Sequence, residues 1–220
     1  MIRIFLLDRR LLSETAEVNF GEAEATRLDK IKNPKRKLES LSALVALDEL
    51  IKISLGQASF EILRSKSGKP YFKDSSISFS LAHSGDISVA AICDEKDNVI
   101  GIDVEKINER SNITELAERF FNESEKAEFY RLGKAPETFF ELWTKKEAYA
   151  KMTGEGLASV IGDQSIAKVS NSRSMCYEFY NNNDRYILSL CSSSTIQCVE
   201  FYNNSKDVKF KQEQEKGGKK

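Results

Sequence analysis

Histidine and proline are nearly missing from this 220-residue chain, which has one histidine and three prolines. A single imidazole, His83, excludes every metal site built on two or more histidines. Three prolines exclude a proline-rich linker architecture. The four cysteines, Cys93, Cys176, Cys191 and Cys198, form no C-x-x-C and no zinc-ligand spacing, so they read as reduced core residues. Net charge is scarce too: 33 Lys and Arg against 34 Asp and Glu leave −1. That balance argues against a dedicated nucleic-acid partner while permitting a local basic patch. The apolar run Ile2–Leu7 stops at Asp8, Arg9 and Arg10, too short for a signal-peptide core or a membrane span. A cytoplasmic protein without a membrane partner is the expectation.

What is present is a globular pattern, 40% hydrophobic and 30% charged. Ile2–Leu7 predicts a buried strand. From Pro34, Leu38, Leu41, Leu44, Val45, Leu47 and Leu50 recur at threes and fours, which predicts a helix. Its start is densely basic (Lys30, Lys32, Lys35, Arg36, Lys37), where a helix already carries partial positive charge. Either that surface is simply solvated or an anion rests there. Ser59–Leu63 is a short extended segment, and Ser65–Pro70 a turn. Ile77–Leu81 alternates as a half-buried strand and forms a hairpin with Ile87–Ile92. Val99–Glu105 is the next strand. Helical signals run from Thr114 to Met152, the last helix opening at Pro136 and closing at Gly154 and Gly156. Strands return at Ser174–Tyr180, Tyr186–Leu190 and Thr195–Tyr202, and Lys206–Lys220 is expected to be disordered. The order predicts an α+β fold, as two similar halves meeting near residue 98.

Two clusters stand out chemically. In Gly101-Ile102-Asp103-Val104-Glu105, strand alternation puts Ile100, Ile102 and Val104 on one face and Gly101, Asp103 and Glu105 on the other. The two carboxylates, with α-carbons roughly 7 Å apart, can share a divalent cation, and Gly101 leaves room for close approach of a ligand. A solvated acidic edge strand gives the same pattern. On the helix Trp143–Lys151, Trp143, Glu147 and Lys151 share one stripe at i, i+4 spacing, as a surface ion pair beside a core Trp also does. Gly68-Lys69-Pro70 and Ala82-His83-Ser84-Gly85 are weaker candidates. A hydrolase reading of His83 and Ser84 fails, because strand neighbours face opposite ways and no G-x-S-x-G surrounds them.

Taken in order, these blocks resemble the 4′-phosphopantetheinyl transferase superfamily, in its long, single-chain, pseudodimeric class (surfactin-synthetase-activating type). The matching pieces are Gly68-Lys69-Pro70, Phe79–Gly85, Gly101–Glu105, Arg119–Glu125 and Trp143 through Gly156-Leu157. The last reads W-T-x-K-E-A-x-x-K-x-x-G-x-G-L and is the most specific.

The resemblance implies transfer of the 4′-phosphopantetheine group of coenzyme A to a serine of an apo acyl or peptidyl carrier protein, releasing adenosine 3′,5′-bisphosphate. It implies Mg²⁺ or Mn²⁺, with Asp103, Glu105 and Glu147 as metal ligands and Glu147 and Lys151 in catalysis. Arg36 (or Lys37 or Lys32), Lys69, His83 and Ser84 are the implied coenzyme A contacts. Ala82 departs from the serine many members carry. The implied fold is two α/β subdomains, 1–97 and 98–204, related by a pseudo-twofold, with 205–220 as a disordered tail and a monomer as the expected state. The fatty-acid, polyketide, nonribosomal-peptide and lysine pathways all supply carriers that fit, and Asn108–Ala135 is the segment expected to choose among them. The rival reading is an inactive carrier-protein or coenzyme A binding module of the same fold. A generic Mg²⁺ phosphotransferase lacks its G-x-x-x-x-G-K-[ST] or kinase signature.

Overall fold

Ile2–Asp8 forms β1, and its unbroken apolar run reflects burial on both faces. Ile2, Ile4 and Leu6 enter one core cluster, whereas Phe5 and Leu7 enter another. A computed structural model gives this arrangement and describes residues 1–13, 16–56, 59–108, 112–161 and 173–211. After β1 come α1 (Glu22–Asp29) and α2 (Pro34–Leu55), then β2 (Ile62–Arg64) and β3 (Pro70–Phe72), which pair as a short hairpin. β4 (Ser78–Ser84), β5 (Ile87–Cys93) and β6 (Ile100–Lys106) precede α3 (Ile113–Phe120), α4 (Glu123–Arg131) and α5 (Pro136–Thr153). β7 (Arg173–Asn181), β8 (Asp184–Ser192), β9 (Val199–Asn203) and β10 (Val208–Phe210) complete the order.

The fold is α+β, with two four-stranded sheets. One runs β4-β5-β1-β9 and the other β10-β7-β8-β6. α2 covers the first sheet, packing Leu44, Leu47 and Leu50 on Phe5, Leu7 and Ile92. The opposite faces of β1 and β5 meet Ile100, Ile102, Val104, Leu188 and Leu190 of the second sheet. α5 lies on β6 and β8. Beside it an aromatic cluster of Phe121, Phe129, Phe139 and Phe140 joins α3, α4 and α5.

β4 and β6, each an edge of its own sheet, lie side by side without pairing backbone to backbone. Serine hydroxyls make the junction: Ser78, Ser80 and Ser84 Oγ accept the N–H groups of Ile100, Ile102 and Lys106 at 3.1, 3.0 and 3.0 Å. The same 22-residue offset sets Ala82 opposite Val104, where no hydroxyl stands.

Several expectations change. The polar stretch before Pro34 contains α1, which the weak apolar spacing of Glu22–Asp29 concealed. β4 extends through Ala82, His83 and Ser84. β9, inside the segment read as the second half, pairs in parallel with β1 of the first. Part of the tail expected to be disordered is β10, held by Asn181, Tyr180 and Phe179 of β7, while 212–220 lie outside the described residues. Cys93 and Cys191 are buried, but Cys176 and Cys198 are exposed.

Candidate active site

The site begins with a close approach. A Cβ on Gly101 would stand 2.0 Å from the Ala148 carbonyl oxygen and 2.4 Å from the Met152 nitrogen. The room at Gly101, expected for a ligand, is filled by the backbone of α5. That contact brings Glu147 and Lys151 over the carboxylates of β6. Lys151 Nζ donates to Asp103 Oδ1 at 2.8 Å. Asp103 is buried, and its Oδ2 has no hydrogen-bond partner. Burial pushes the Asp103 carboxyl above its ordinary range, against the opposing pull of Lys151. Burial also raises Glu147, followed by repulsion from Asp103 and more weakly from Glu105, with Lys151 opposing. Glu147 therefore feels both carboxylates of β6. Among the described residues, however, no three such side chains stand close enough to hold an ion as they are placed.

Glu147 and Lys151 line a cavity of ≈ 380 Å³ together with Lys69, Ser80 and His83. Lys69 is presented by the turn that Ser65 and Gly68 close, with Gly68 at φ +87°. Its ammonium donates to the Met152 carbonyl at the end of α5. Burial lowers Lys69 to about 8. Burial likewise lowers His83, partly countered by Glu39 at 4.0 Å, so the imidazole is neutral at pH 7. His83 and Ser40 also line a neighbouring recess of ≈ 610 Å³, and Arg36 and Lys32 lie there, outside the main cavity. The basic helix start is capped by Asn33, which accepts from Arg36 N, and Lys37 pairs with Asp29.

Ser84 is placed differently from the other candidates. Its hydroxyl donates to Glu105 Oε2 at 2.7 Å while accepting from Lys106 N, so it holds β6 and one of its carboxylates. Trp143 packs against the aromatic cluster, stacked on Phe139 with centroids 6.0 Å apart. Two charged cavity residues escaped the sequence reading: Arg27 and Arg64, both bound to the buried Glu24. The one available signal was the i, i+3 spacing of Glu24 and Arg27, on a helix the pattern did not reveal.

Residues 99–203, which carry Asp103, Glu105, Glu147 and Lys151, match the model of the 4′-phosphopantetheinyl transferase superfamily. Over residues 99–203 this chain belongs to that superfamily. It is similar to the 4′-phosphopantetheinyl transferase HetI of Nostoc sp., 35% identical over 48% of this chain and 45% of the relative. The 4′-phosphopantetheinyl transferase gsp of Aneurinibacillus migulanus is 40% identical over 41% of this chain and 36% of its own length. The 4′-phosphopantetheinyl transferase AcpT of Escherichia coli K12 is 34% identical over 53% and 60%. The matches thus span about half the length of these superfamily relatives. No helix among the described residues is long and apolar enough to cross a membrane.

Proposed function

We propose that the protein transfers the 4′-phosphopantetheine group of coenzyme A to a serine hydroxyl of an apo acyl or peptidyl carrier protein. The observation that carries the reading is that Glu147 and Lys151 line one cavity with Lys69 and His83, while Lys151 also binds the buried, half-unpaired Asp103. In the reaction the serine oxygen attacks the β-phosphorus, the bond to the bridging oxygen breaks, and adenosine 3′,5′-bisphosphate leaves. Glu147, with its raised proton affinity, accepts the serine proton, directly or through water. Lys151 offers its charge to the leaving phosphate, and Lys69 and neutral His83 donate to the phosphates of the nucleotide. Arg36, in the recess that shares Ser40 and His83, is assigned to the 3′-phosphate. Ser84 acts through Glu105.

The donor set fits a hard divalent cation. It is all oxygen, and the buried, unpaired Asp103 Oδ2 is an acceptor awaiting a partner. Asp103, Glu105 and Glu147 would hold Mg²⁺ or Mn²⁺, whose charge would offset that of the pyrophosphate.

The same reading gives two similar subdomains, 1–97 and 98–204, related by a pseudo-twofold. Its support is a pair of four-stranded sheets, each under a long helix, with β9 crossing to the first. We assign the protein to the cytoplasm as a monomer, with α3 and α4 facing the carrier. The test is incubation with a fluorescent coenzyme A and a panel of apo carriers, with and without Mg²⁺. Metal-dependent label on one carrier serine is expected. Binding of coenzyme A without transfer to any carrier would favour the inert binding module.

A further inference from the structure

Lys146, next to Glu147 on α5, points the other way and is 1% exposed. A buried ammonium survives only where its donors are met, because desolvation disfavours it otherwise. Here it meets Glu125 Oε2 at 2.8 Å and the Val160 carbonyl at 2.8 Å. Glu125 is itself fixed: its carboxylate accepts Asn122 N at 2.9 Å, and its own N–H donates back to Asn122 Oδ1, closing the capping box of α4. Val160 ends the 3-10 turn Leu157–Val160 and packs fully buried with Ala150.

The segment between is a wall of the cavity. Gly154 and Gly156, at φ +74° and +79°, and Leu157 all line it. Glycines at positive φ leave such a segment free to swing unless its ends are tied. One end is tied where Lys69 reaches the Met152 carbonyl, and the other where Lys146 reaches Val160. We infer that Lys146 is a positioning residue that fixes the 154–160 wall of the coenzyme A cavity against α5 and α4. The inference rests on the function proposed above for the choice of ligand, but the tie to Val160 does not. A methionine at 146 would fill the space and lose the directed donor.

The variant Lys146→Met alone strands the Glu125 carboxylate, so the informative protein is Lys146→Met with Glu125→Met, which removes both charges. Amide hydrogen exchange and coenzyme A binding by calorimetry are measured on the full chain. The expected result is at least tenfold faster exchange at 154–161, exchange in β5 and β8 unchanged, and about tenfold weaker coenzyme A binding. With an active carrier, KM for coenzyme A should rise more than kcat falls, and Lys146→Arg should recover much of the affinity. Wild-type exchange at 154–161 in the double variant would overturn the tie. Faster exchange with unchanged coenzyme A affinity would overturn the positioning role. If the wild-type protein binds no coenzyme A, the proposed function fails, while the exchange measurement still decides the tie.

Discussion

Asp103 shows how a single side chain can be set against the fold that carries it. Burial raises its pKa despite the 2.8 Å contact with Lys151, so the folded protein favours the protonated acid. The sign follows from linkage: the native state holds the proton more tightly than the unfolded chain. The contribution of Asp103 to stability is therefore greatest below the ordinary value of 3.8, falls as pH rises toward the elevated folded value, and stays lower above it. Asp103→Asn, which mimics the protonated acid, should melt higher than wild type at pH 7, with the gap closing near pH 3.5, while transfer is abolished. Melting curves across pH check the first part and a transfer assay the second; a variant that melts lower at pH 7 refutes the argument. Glu147→Gln and Lys151→Ala should each lower turnover by on the order of 100-fold, the cost of one lost transition-state contact. Lys151→Ala should also melt below Glu147→Gln, because it leaves the Asp103 carboxylate without its ammonium. Equal melting of the two, with wild-type turnover in both, would make this helix structural only.

Two elements are placed by very small side chains. α5 can lie on β6 only because residue 101 has no Cβ. Gly101→Ala would press a methyl carbon against backbone atoms of Ala148 and Met152, which cannot rotate away. The strain should cost about 1–3 kcal/mol, and α5 must lift, carrying Glu147 and Lys151 with it. A displacement of about 1 Å is enough for roughly 100-fold in rate. Turnover falling far more than the melting temperature is the expected signature; wild-type turnover in the alanine variant would remove the contact from the site's design. The β4–β6 junction has the opposite opportunity. A hydroxyl at 82 would face Val104 N–H as those at 78, 80 and 84 face their partners, but the Asp103 carboxylate already draws on that N–H, so Ala82→Ser should add less than about 1 kcal/mol in denaturant titrations. A loss of stability would mean that the offset does not hold at this rung.

Across the whole molecule the two sheets need each other. The inner faces of β1 and β5 are covered by β6 and β8, and the outer edge of β1 is paired with β9. A fragment ending at residue 97 would expose the Ile2, Ile4, Leu6 and Val89 face and an unpaired β1 edge. It should fail to give a cooperative melt when expressed alone, and regain one when the remaining segment is supplied. An autonomous two-state transition in the fragment would show that the interface contributes less than its apolar area suggests.

Much of this was legible in the residues. Apolar runs located β1, β5 and β6, a repeat at threes and fours located α2, and Pro136 with Gly154 and Gly156 bounded α5. The blocks around Asp103, Glu105, Glu147 and Lys151 carried the family, because chemistry restricts those side chains wherever the chain takes them. α1 was not legible: a short helix with one buried residue, Glu24, leaves no apolar stripe. Neither Arg27 and Arg64 as cavity walls, the pairing of β9 with β1, nor the turn of Lys146 away from Glu147 can be read from spacing. Gly101 separates the two kinds of knowledge. The sequence required a residue without a side chain there, since something had to come close. That the visitor is the backbone of α5, and that it delivers Glu147 and Lys151 to Asp103, was decided by packing between segments 47 or 48 residues apart, which no local pattern encodes.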